Sequence, residues 1–97
     1  MVVVAGLLAL PLLPACSLAY VGNIVPAAST VHAAEQEGAS EWAPYEYWLA
    51  HEYLDAAAEE GNEGNYWDAV RYAERAHDLA NQAVRLTTVR RREAQRE

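Results

Sequence analysis

The chain has 97 residues, with 14 Asp or Glu against 7 Arg, no lysine, and a formal net charge of −7 at pH 7. That length bounds it to one small domain plus an N-terminal segment. Ten carboxylates and no Lys or Arg lie between residues 35 and 70, which argues against nucleic acid as a partner, because phosphate contacts need clustered cations.

Residues 2–21 are uncharged. The run VVVAGLLALPLLPA has the length of a signal-peptide apolar segment, about 7–15 residues, and it ends next to the only cysteine in the chain. Leu13-Pro14-Ala15-Cys16 resembles the lipobox of bacterial lipoproteins, with Leu, a small residue and Cys in their places and Pro14 where Ala, Ser or Thr is usual. The resemblance implies diacylglyceryl transfer to the Cys16 thiol, cleavage before Cys16, and acylation of the new amine. Ser17, rather than Asp, follows the cysteine; by analogy with that class, this favours the outer membrane, facing the periplasm. Three alternatives stand beside this reading. A type I peptidase would find a site at Val31-His32-Ala33; residues 2–21 reach the about 20 needed for an uncleaved span; and the cysteine is inert if buried. On the lipoprotein reading, residues 1–15 are a signal peptide, 16–25 a lipidated tether and 26–97 an α-helical domain.

Pro26 suits the first turn of a helix, and AASTVHAAEQE continues it to Gly38 with a thin stripe of Ala27, Val31 and Ala34. GASEWAP breaks the pattern, with Ser40 as a candidate cap and Pro44 allowed in a first turn. A second helix follows over about 42–60. Tyr47, Ala50, Tyr53, Leu54 and Ala57 share one side of it, extended by Tyr45, Leu49 and Ala56. GNEGN at 61–65 reads as a turn, with Gly61 placed to end one helix and Asn65 to cap the next. A third helix is expected over about 66–90, where Tyr66, Ala69, Ala73, Ala76, Ala80 and Ala83 recur at alternating spacings of three and four. Alanines on a seam allow close backbone approach, so the preceding helix folds back as an antiparallel hairpin. The expected fold is all-α: that hairpin, or a three-helix arrangement if the first helix packs on it.

GNYWDAVRYAERAHDLA resembles the second helix of a tetratricopeptide repeat, with Gly64, Tyr66, Ala69, Ala73 and Ala76 in matching places, but the preceding helix lacks the repeat's pattern. Over residues 16–86 the chain resembles small bacterial lipoproteins carrying the domain of unknown function 4398. The features are the lipobox, a short tether, APYEYWLAHEYLDAA, a Gly-rich turn and YWDAVRYAERAHDLA. This resemblance implies an envelope-located helical domain without an established activity.

Catalytic constellations are missing from the sequence: no HExxH, no CxxC and no phosphate loop. His51 and Asp55 stand at helical i, i+4 spacing, but two ligands do not complete a metal site, so a solvated contact is the preferred reading. His77 reads as a core-edge histidine bonded to a tyrosine hydroxyl. Glu59, Glu60 and Glu63 lie by an exposed turn, without the burial that raises a carboxyl pKa for acid catalysis. Arg90, Arg91 and Arg92 read as a solvated helix end.

Trp48 and Trp67 fall on the polar sides of their helices, Trp67 with Arg71 at cation–π spacing. Either the first helix covers these indoles or they anchor an interface, where tryptophan is enriched. The expectation is a lipid-anchored, non-catalytic scaffold or accessory subunit of the cell envelope that binds protein, or itself, through Trp48, Trp67, Tyr45 and Leu49, with no cofactor or metal. The alternative is a metal- or small-molecule-binding module, or an accessory subunit of an envelope enzyme.

Overall fold

Alanine spacing on the last helix organises the molecule. In a computed structural model, residues 15–97 are described, with side chains from Ser17 onward. Four helices follow one another: α1 Ala15–Gln36, α2 Ala39–Trp42, α3 Pro44–Asn62 and α4 Tyr66–Arg96. No strand occurs among the described residues, and the fold is all-α. The residues expected to form a signal peptide, with Leu13 and Pro14 of the lipobox-like motif, lie outside them up to residue 14, as does the side chain of Cys16.

On α4 the seam Ala69, Ala73, Ala76, Ala80 and Ala83 is fully buried. Thr87 extends it by one more place, and its hydroxyl donates to the Ala83 carbonyl at 2.8 Å, so no polar group is left unsatisfied there. Small seam residues let neighbouring helices approach toward the short end of the usual ~8–10 Å interaxial range. Larger side chains then fill the edges: Tyr47 and Leu79 are buried, with Tyr53 and Leu54 packed beside them.

Three long helices run up, down and up. Helix α1 is parallel to α4. Tyr20 meets Tyr66 at one end, with ring centroids 5.9 Å apart, and Thr30 lies 2.8 Å from His77 in the middle. At the far end Arg91 donates to the Glu37 carbonyl. Helix α3 is antiparallel to both, and Tyr53 meets Tyr72 at 5.9 Å. The hairpin is therefore completed to three helices, with Ala27, Val31 and Ala34 of α1 buried as their spacing predicts.

The tether expected over residues 16–25 is helical instead. Tyr20 and Ile24 continue the Ala27–Val31–Ala34 stripe backwards at the same spacing, and Ile24 packs against the core. Pro26 consequently sits inside α1 and not in its first turn. An interior proline clashes with the carbonyl four residues earlier. Here that residue is Gly22; both it and Pro26 are exposed, so the carbonyl that loses its helix bond is open to water.

Both turns also differ from expectation. Gly61 lies inside α3, buried, and Gly64 takes the left-handed conformation at φ 84° that reverses the chain. An added Cβ at Gly61 would collide with the Tyr20 ring, so the glycine is there for close approach rather than for termination. Asn65 holds the N-cap position of α4 without a side-chain cap bond; its amide donates to Glu60 at 2.8 Å. Ser40 is likewise no cap, since the single turn of α2 starts after Gly38 at φ 90°. Pro44 does open α3, as its fixed φ allows.

Candidate protein-docking face

Tyr45, Trp48, Leu49 and Glu52 are spaced to share one side of a helix, and Pro44 sets where that helix begins. On α3 this side points away from the buried Tyr47, Ala50 and Ala57. Pro44, Tyr45, Trp48, Leu49 and Glu52 line an open hollow of about 420 Å³. A second, of about 410 Å³, is lined by Leu49, Glu52, Tyr53, Ala56 and Tyr72 of α4. Leu49 and Glu52 belong to both, so the two form one groove along α3.

Trp48 is 54% exposed and Tyr45 72%, while Leu49 is half-buried against the core. The indole is not free to swing. It packs edge-on against Tyr47, with centroids 5.0 Å apart and planes at 86°, and lies 5.7 Å from the His51 ring. Such aromatic contacts fix a side chain at low entropic cost before any partner arrives. Tyr47 is itself held by α1. Its burial, then the charge of Glu35 and a hydrogen bond to that carboxylate, raise the phenol pKa above its usual value.

Of the anticipated docking residues, the fold gathers Tyr45, Trp48 and Leu49 and leaves Trp67 apart. Trp67 is 65% exposed but stands at the start of α4, at the opposite end of the α3–α4 hairpin from Trp48. Helix α1 covers neither indole. The expected Trp67–Arg71 contact is replaced by an ion pair of Arg71 with Asp68, one turn earlier on the helix. The sole cation–π contact among the described residues is Arg91 over Trp42, at 5.9 Å.

Arg90 and Arg91 are not the solvated end that their run suggests. Arg90 Nη1 donates to the Trp42 carbonyl at 2.8 Å and lies 4.0 Å from Glu46, whose Oε2 is buried without a hydrogen bond. Together with the Arg91–Glu37 bond, these guanidinium groups satisfy carbonyls at the ends of α1 and α2, where helix dipoles favour a cation. They fix the corner from which α3 departs, and so the groove's upper end. Sequence reasoning missed them because the partners are 48 and 54 residues away, outside any local period.

The histidines are placed separately. His51 Nδ1 lies 3.4 Å from Asp55 in an exposed pair, the solvated contact expected. His77 is bonded to Thr30 and, at 3.2 Å, to Asn81, not to a tyrosine. Among the described residues no three His, Cys, Asp or Glu converge as a metal site, and no helix is long and apolar enough to cross a membrane.

No curated protein and no solved structure matches the chain. Residues 23–97, from the middle of α1 to the end of α4, match a family described as Domain of unknown function (DUF4398). The chain belongs to that family.

Proposed function

We propose that this is a lipid-anchored, periplasm-facing helical protein that serves the bacterial cell envelope as a non-catalytic scaffold or accessory subunit, docking protein in the α3 groove. The observation that carries the reading is Trp48 standing exposed beside Tyr45 in that groove while alanines of α4 close the core. Neither aromatic is needed to fill the bundle. Apolar surface left in water costs roughly 25 cal/mol per Å² relative to burial, and a docked protein recovers it. Anchoring through Cys16 rests on the lipobox resemblance and would raise the effective concentration near membrane partners.

A photo-crosslinking residue at Tyr45, used in intact cells with mass spectrometry of the products, tests the docking face. Crosslinks to protein are expected, and Trp48→Ala with Leu49→Ala should abolish them. Capture of no protein from this position would overturn the reading. For the anchor, intact mass of membrane-extracted protein should show diacylglyceryl and N-acyl chains that Cys16→Ala removes. A mature N-terminus at Ala34 without lipid would make the protein soluble.

A further inference from the structure

We infer that the occupant of the α3 groove is the basic end of α4 from a second copy of this chain, an inference that rests on the groove being a protein-docking face. Its chemistry sets the requirement. From Pro44 to Ala56 the groove runs ~18 Å at 1.5 Å per residue, about three helical turns. Its walls are mainly aromatic and aliphatic side chains, and Glu52 stands where the two hollows meet. Helix α3 carries Glu46, Glu52, Asp55, Glu59 and Glu60 and no Lys or Arg. A helix presenting a small apolar residue between cations fits such a surface.

The same chain carries that helix. On α4, Arg85, Val89, Arg92 and Arg96 recur at spacings of four, three and four and are all exposed. Val89 is 49% exposed. Arg90 and Arg91 are engaged in the corner, whereas Arg85, Arg92 and Arg96 make no hydrogen bond or ion pair among the described residues. The stripe cannot turn onto its own groove. It lies on the side of α4 opposite Ala83 and Thr87, which are buried in the bundle, so a rigid helix points it outward.

Groove and stripe are different patches near the same end of the bundle, where Arg90 meets Trp42; in a two-fold dimer each groove takes the other copy's stripe, so the contact is made twice and the assembly closes. Two chains of net charge −7 repel at long range, but that field is screened beyond about 8 Å at physiological ionic strength. Arginine against glutamate in the groove acts inside that distance and sets the register.

The test uses the full chain extracted in mild detergent, as an equal mixture of ¹⁴N- and ¹⁵N-labelled protein carrying the photo-crosslinker at Tyr45. Mixed-isotope crosslinks to residues 85–96 are expected. Charge swaps supply the second arm: Glu52→Arg in the groove with Glu59→Arg, two turns on along the same side of α3, in one copy, and Arg92→Glu with Arg96→Glu in another. All four side chains are exposed, so circular dichroism should be unchanged. Each swapped chain alone should lose about tenfold or more in dimer affinity, since exposed ion pairs contribute modestly one by one and each swap reverses them in both contacts. Mixing the two should restore pairing, because both contacts are then complementary. Raising the ionic strength should weaken the parent dimer. A monomeric parent, or single swaps that lose pairing without recovery on mixing, overturns the inference. Crosslinks from Tyr45 to a different protein, with the chain monomeric, overturn it while leaving the docking face intact; crosslinks to no protein overturn both.

Discussion

Thr30 Oγ1 lies 2.8 Å from Nδ1 of His77 and 2.8 Å from the Pro26 carbonyl. Asn81 Nδ2 stands 3.2 Å from the other ring nitrogen. An amide nitrogen only donates, so Nε2 accepts from Asn81 and the proton sits on Nδ1. Nδ1–H then donates to Thr30, whose hydroxyl donates to Pro26. Every member is satisfied, and the relay ties α1 to α4 near the proline. Thr30→Val keeps the shape but strands the imidazole N–H, which should cost about 1–2 kcal/mol. Urea denaturation would measure it, and His77→Phe in the same background should cost little more.

The close approach of Tyr20 to Gly61 makes a second prediction. On helix propensity alone, Gly61→Ala would stabilise α3 by about 0.5–1 kcal/mol. The new methyl would collide with the Tyr20 ring, and overpacking of this kind costs about 1–3 kcal/mol. Destabilisation should win, with α1 displaced. Tyr20→Ala should remove the penalty, so the double mutant should be non-additive by about 1 kcal/mol or more. Additivity would mean that the two do not touch.

Tyr47 predicts an alkaline limit. Its phenol is buried and faces the Glu35 carboxylate, so its folded pKa lies above the ordinary value of 10.0. A group raised on folding lends stability that is complete below its unfolded pKa and is lost as pH rises through the folded one. Unfolding free energy should therefore fall above pH 10 more steeply than in Tyr47→Phe. Equal slopes for the two proteins between neutral and alkaline pH would refute this coupling.

Burial of the alanine seam is testable by a charge. Ala76 is fully buried, and a glutamate there would enter an apolar cluster with Ala27, Ala57 and Ala73. The cost is several kcal/mol, comparable with the ~5–15 kcal/mol that holds a whole domain together. Ala76→Glu should abolish the cooperative thermal transition, whereas Glu74→Ala, on the exposed side of the same helix, should shift it little.

What the residues determined by themselves is everything set by period and backbone preference. The seam from Ala69 to Ala83 declares a helix and its buried side, because adjacent turns of one helix repeat about every 3.6 residues. Pro44 opening α3, the GNEGN reversal and the polar-side positions of Trp48 and Trp67 follow from equally local rules. Tertiary structure decided the rest. Residues 17–25 appeared as a tether because their stripe is only Tyr20 and Ile24, too thin to hold a helix in water; it is held by packing on Gly61 and Tyr66. Arg90 and Arg91 became a clasp, and His77 a relay, through partners 47 to 54 residues distant. The groove followed the same logic. Tyr45, Trp48 and Leu49 are neighbours by helical spacing alone, but Tyr72 becomes a wall of it only when α4 folds back, and Trp67 is carried to the other end by that same turn.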